Sequence, residues 1–108
     1  MKAVYFDGEH GETLRYEEIP ASMRAEADAA HEELIDAVSM FSDELAEAYL
    51  EGEVTEEQVH TAVRAGVLSR KFTPVFVGSA YKNKGVQTLL NAVVRYLPSP
   101  REGTNEAL

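Results

Sequence analysis

The sequence has no cysteine and no tryptophan, and only four prolines among 108 residues. Without cysteine there are no disulfides and no thiolate metal sites, which fits a reducing, cytoplasmic setting. No apolar run approaches the ~20 residues a helix needs to cross a bilayer, and the opening Met1-Lys2-Ala3-Val4-Tyr5-Phe6-Asp7 has no signal-peptide pattern, so a soluble protein is expected. No Gly-x-x-x-x-Gly-Lys-Ser/Thr loop occurs, so nothing cradles the β- and γ-phosphates of a nucleotide or places Mg²⁺. An Asn-Lys-x-Asp guanine motif is also absent. His10, His31 and His60 fall in a turn and two different helical stretches, which gives no zinc-ligand spacing. Ser79 lacks the Gly-x-Ser-x-Gly context of a nucleophile. Independent catalysis is not expected of this chain.

Basic residues are scarce in the first half. Residues 1–57 hold seventeen Asp and Glu against Lys2, Arg15 and Arg24, a net −14. Residues 58–108 hold Glu102 and Glu106 against seven Lys and Arg, a net +5, so the total is −9. An acidic first half repels nucleic acid and favours a basic protein surface, or simply keeps the domain in solution. The hydrophobic content of 44% is that of a folded domain. At this length one modest core is expected.

Lys2 to Phe6 and Thr13 to Glu17 predict a hairpin, its connection widened by Asp7-Gly8 and Gly11. Such a pair is marginal alone and needs a helix or a larger sheet over its apolar face. Residues 21–41 predict a long helix, capped by Ser22, with Met23, Ala27, Ala30, Leu34, Ala37, Val38 and Phe41 as its seam. Glu26, Asp28, Glu32, Glu33 and Asp36 fall on the opposite arc. Ser42 opens a second helix that ends at Gly52. Thr55-Glu56-Glu57-Gln58 is a capping box for a third, with Val59, Ala62, Val63 and Gly66 on one face.

Phe72 to Val77 predicts a buried strand, and Gly78 to Gly85 a loop of small and polar residues. Val86, Leu89, Leu90, Val93, Val94 and Leu97 then form a helical stripe broad enough to cover a sheet. Strand, loop and helix in this order place a loop where α/β sheets bind ligands. The small residues Gly78, Ser79 and Ala80 leave backbone N–H groups approachable.

The wording of that unit is specific. Gly78-Ser79-Ala80-Tyr81-Lys82-Asn83-Lys84-Gly85-Val86, followed by Leu89-Leu90, Ala92-Val93 and Tyr96-Leu97-Pro98-Ser99-Pro100, resembles elongation factor G, the translational GTPase family. The resemblance extends upstream through Asp43, Tyr49 to Gly52, Thr55 to Glu57 and Arg64 to Leu68–Lys71, nearly the whole chain. It implies an α/β (α+β) fragment: an inserted subdomain in residues 1–71, the last strand, guanine-base loop and helix of a P-loop GTPase sheet in 72–98, and a polar tail in 99–108. The missing nucleotide motifs precede this stretch in the family.

By that resemblance Gly78, Ser79, Ala80, Tyr81 and Lys82 form the guanine-base loop. Ser79 holds the loop, the Ala80 N–H donates to guanine O6, and the Lys82 stem packs beside the base. Adenine presents a donor amine at that position, so a fixed donor selects guanine. Tyr81 stands where the family has Phe or Leu. The parent would bind GTP and GDP, act on the ribosome in translocation, and work in the cytoplasm, while the isolated chain would hold no nucleotide. The remainder of the GTPase domain would be a further partner. Glu32, Glu33 and Asp36 would meet the ribosomal stalk protein, although Ala25 and Ala29 stand where the family's pattern invites an acid. Neither a membrane nor a sequence-specific nucleic acid contact is implied. The alternative is a free-standing acidic interaction module that never meets nucleotide.

Overall fold

Alternation and turn chemistry produce the hairpin where the sequence predicts it. In the computed structural model, which describes residues 1–102, β1 (Ala3–Asp7) pairs antiparallel with β2 (Thr13–Glu17), Tyr5 opposite Arg15. Arg15 lies over the Tyr5 ring at 4.6 Å and donates to Asp7 at 2.7 Å and to Glu17. The hydrogen bond from Arg15 holds the Asp7 carboxyl below its ordinary pKa. No helix packs on either strand among the described residues. The apolar cover expected for the hairpin is therefore not supplied by the described residues.

Four helices follow: α1 (Ala21–Ser39), α2 (Asp43–Glu51), α3 (Glu56–Leu68) and α4 (Val86–Tyr96). Local signals set most of their ends. The Ser42 hydroxyl accepts from the Leu45 N–H at 3.3 Å, and Gly52 closes α2 in the left-handed region at φ 76°. Both halves of the Thr55–Gln58 capping box form, at 3.0 and 3.3 Å. The start of α1 differs from expectation. Pro20 occupies the cap position and no side chain caps the helix, so Ser22 lies inside the first turn.

The buried face of α1 also differs. Ile35 and Val38 are buried with His31 half-buried on the same face, whereas Leu34 and Met23 are about half exposed. Of the predicted seam Val38 is buried and Ala27 and Phe41 are half-buried, while Ile35 and His31 are packed in place of Ala30, Leu34 and Ala37. At 1.5 Å per residue α1 is about 28 Å long and α2 about half that, so the first turns of α1 run past the helices they accompany. The described residues leave Met23 there 54% exposed.

The core is one cluster: Val38, Leu45, Ala62, Val63, Ala92 and Tyr96, with Val54, Val59, Val67 and Phe72 packed against it. Phe72 leans on Phe41, ring centres 5.1 Å apart, and lies directly over Gly66. A Cβ at Gly66 would sit 1.9 Å from the Phe72 ring. Gly66→Ala thus has two opposed effects: a better helix former gains about 1 kcal/mol, and the ring is expelled from the core. Overpacking of this kind costs about 1–3 kcal/mol, so net destabilisation is expected. A urea midpoint that rises in Gly66→Ala would show that Phe72 is not seated there.

The predicted strand Phe72 to Val77 is a correction. The segment forms no ladder, and Val75 and Val77 are 85% and 93% exposed. A strand exists only against a neighbour, and among the described residues no other strand lies beside it. The α4 stripe follows suit. Leu89, Leu90, Val93, Val94 and Leu97 all stay exposed, while Ala92 and Tyr96 face α3 and are buried. The observed class is α+β, a two-stranded antiparallel sheet with four helices. The molecule is flat, 17 Å in its thin direction, with a radius of gyration of 16.3 Å. A compact chain of this length has about 13 Å. Flatness and the bare α4 stripe have one cause: apolar faces without partners.

The turn Ser99–Glu102 returns to α3. Beyond Glu102 the expected polar tail lies outside the described residues.

Candidate functional site

Small residues and two tight closures build the loop after residue 77. Ser79 and Lys84 exchange backbone hydrogen bonds at 2.8 and 3.0 Å, and the Asn83 N–H donates to the Ala80 carbonyl at 3.1 Å. Ala80, Tyr81 and Lys82 are thereby pushed out as a short tip. Gly85 opens α4 at φ 79°, where a Cβ would meet the Val77 carbonyl at 2.9 Å. The two ends of the loop can cross this closely only through glycine. The Thr88 hydroxyl donates to the Gly85 carbonyl at 2.8 Å and steadies the first turn.

The five predicted loop residues are brought together on this tip. The Ser79 N–H is used within the loop, and Ser79 is half-buried. The Ala80 N–H, like those of Tyr81 and Lys82, donates to no group among the described residues, and all three residues are exposed. Tyr81 is 99% exposed, and Lys82 stands beside it. On one side a hollow of about 230 Å³ is lined by Phe76, Gly78, Ala80 and Leu89. On the other a polar cleft of about 400 Å³ separates the tip from the hairpin turn, with His10, Gly11 and Lys82 on its walls. The arrangement offers unpaired backbone donors, a cationic stem and an exposed ring within the three residues Ala80 to Lys82. That set can hold a flat polar ring, and it contains no group placed for bond making.

Glu32, Glu33 and Asp36 are exposed on α1 and form no ion pair among the described residues. They share the outer surface of one helix, well away in sequence from the loop. Among the described residues no three metal-ligating side chains converge, and no helix is long and apolar enough to cross a membrane.

Three features were missed in the sequence. The Asn83 amide donates to the His10 carbonyl at 2.8 Å, which ties the loop to the hairpin turn. His60 Nδ1 meets the Tyr96 hydroxyl between α3 and α4, and burial raises the pKa of that hydroxyl. Arg64 donates to the Arg95 carbonyl and to Glu102, each at 2.6 Å. The Ser99 N–H and Arg64 together lower the Glu102 pKa to about 2. Only the Gly11 and Asn83-Lys84-Gly85 turn signals hinted at the first of these. Nothing in the local pattern signalled the other two.

No protein-family profile matches the sequence. Individual relatives do. The chain is 62% identical over its whole length to elongation factor G 1 of Syntrophus aciditrophicus, 61% identical over 99% of its length to elongation factor G 2 of Anaeromyxobacter dehalogenans, and 56% identical over its whole length to elongation factor G 1 of Treponema pallidum. It spans only 15–16% of the length of these curated relatives. The crystal structure of a Thermus thermophilus protein superimposes on 94% of the chain with a TM-score of 0.76 at 31% identity, and the match spans 15% of that protein. Identity at this level from end to end makes the chain a homologue of one segment, about 16% of the length, of elongation factor G.

Proposed function

We propose that this segment supplies the guanine-base loop of a GTP-binding translation factor, Gly78-Ser79-Ala80-Tyr81-Lys82, together with an acidic docking face for the ribosomal stalk protein on α1. The observation that carries the first part is a tip, Ala80 to Lys82, whose backbone N–H groups have no acceptor among the described residues, while those of Ser79, Asn83 and Lys84 are consumed in closing the loop; Ala80 is the first of the three. A backbone donor so placed donates to guanine O6 and rejects the adenine amine. The Lys82 stem and the Tyr81 ring flank the base plane. The phosphates and Mg²⁺ would be held by residues outside this sequence, so the chain by itself hydrolyses nothing and binds GTP or GDP no tighter than millimolar. Residues 72–98 would complete a sheet contributed by the remainder of the GTPase domain, and residues 1–71 would stand beside it as an inserted subdomain. The bare α4 stripe and the unladdered Val75 and Val77 support that division over a free-standing acidic module, which has no use for an uncovered apolar face. The whole factor would use GTP on the ribosome, in the cytoplasm.

The test is a graft. This chain replaces the homologous segment of the Syntrophus aciditrophicus elongation factor, and base selection by the grafted factor is measured.

A further inference from the structure

The β1–β2 hairpin packs on no helix, yet its turn is fastened to the far end of the sequence. The Asn83 side-chain amide donates to the His10 carbonyl at 2.8 Å, and the Gln87 amide to the Gly11 carbonyl at 3.4 Å. Gly11 is buried at φ 64°, and a Cβ there would lie 2.8 Å from the Asn83 carbonyl and 3.2 Å from that of Lys82. At Gly11 no side chain fits between turn and loop. Asn83 itself sits at φ 51°, a conformation that asparagine tolerates better than most residues. Both ends of the protruding tip are therefore fixed. The Ser79–Lys84 pair closes one side of it, and the hairpin turn clasps the other at Asn83.

We propose that the hairpin turn is a brace for the base loop, with Asn83, Gln87 and Gly11 acting as positioning residues for the Ala80 donor. The inference rests on the guanine reading of the loop. A donor selects its acceptor only if it is held within a few tenths of an ångström, and the tip has no other support on the hairpin side. Loosening the clasp lets Ala80 and Tyr81 wander, and the base loses its fixed partner while the phosphates keep theirs.

The test uses the grafted elongation factor and two ligands, GDP and the diphosphate of 2-aminopurine riboside, which lacks O6. Asn83→Gly preserves the left-handed backbone and removes the clasp. Gly11→Ala forces the turn away and leaves Asn83 in place. Each is expected to shrink the preference for GDP over the O6-free analogue by about two- to tenfold, the worth of one hydrogen bond. The melting temperature of the factor should stay unchanged in Asn83→Gly. A merely structural role would weaken both ligands equally, so an unaltered preference in both variants overturns the brace. If the unsubstituted graft shows no preference for GDP over the analogue, the base reading itself falls, and the brace with it.

Discussion

Leu45→Ala is expected to lower the stability of the chain by about 2–5 kcal/mol, the cost of a buried leucine and the cavity it leaves. Leu45 is 0% exposed and is the one fully buried large side chain among the described residues. Its α2 position points it at Val38 of α1 and at Ala62 and Val63 of α3, the junction of three helices. Three of the eight buried hydrophobic residues are alanines, so little bulk is available to collapse into the gap. Small domains have only about 5–15 kcal/mol in total, and a flat chain with uncovered faces stands at the low end. Urea unfolding followed by helical circular dichroism measures the effect. Leu90→Ala is the control. Leu90 lies in the middle of the apolar α4 stripe, but it is 59% exposed and its replacement should cost less than about 1 kcal/mol. Equal losses in the two variants would mean that α4 packs by its stripe after all.

The second large effect concerns association. Replacing Glu32, Glu33 and Asp36 together by lysine shifts the net charge from −9 to −3 on one exposed patch of α1. No ion pair among the described residues is broken, so folding should change by no more than about 0.5 kcal/mol. Steering by a like-charged patch raises association rates by about ten- to a thousandfold. The triple variant should therefore associate with the stalk protein at least about tenfold more slowly at low salt, and dissociation should change less. Screening shortens the reach of the patch to about 10 Å at 0.1 M salt, where the two chains should converge. Stopped-flow association at two salt concentrations decides it. Equal rates at low salt would leave the acidic arc as a solvated helix face and nothing more.

Local chemistry was legible in the sequence where it acts within a few residues. Ser42, Gly52 and the Thr55–Gln58 box each satisfy backbone groups one turn away, and their partners are written beside them. Burial was less legible because it depends on partners elsewhere. α1 buries Ile35 rather than Leu34, since the positions of α2 and α3 set its rotation and no spacing within α1 records them. Phe72 to Val77 has strand composition, but a ladder needs a second strand, and the described residues provide none beside it. The α4 stripe was read correctly as apolar and wrongly as packed. In the candidate site, the order Gly78 to Lys82 was visible as a motif. The Asn83–His10 and Gln87–Gly11 links were not, because they join residues 73 and 76 positions apart.

The central claim is that the loop from Gly78 to Lys82 reads a guanine base through the Ala80 N–H. It is tested most directly by equilibrium competition on the grafted Syntrophus aciditrophicus factor, with labelled GDP displaced by GDP, ADP or the diphosphate of 2-aminopurine riboside. The account predicts that GDP competes as it does on the ungrafted factor. The two ligands that offer no acceptor at that position should compete at least about tenfold more weakly, the cost of a buried donor left unpaired. Equal competition by all three ligands would contradict it.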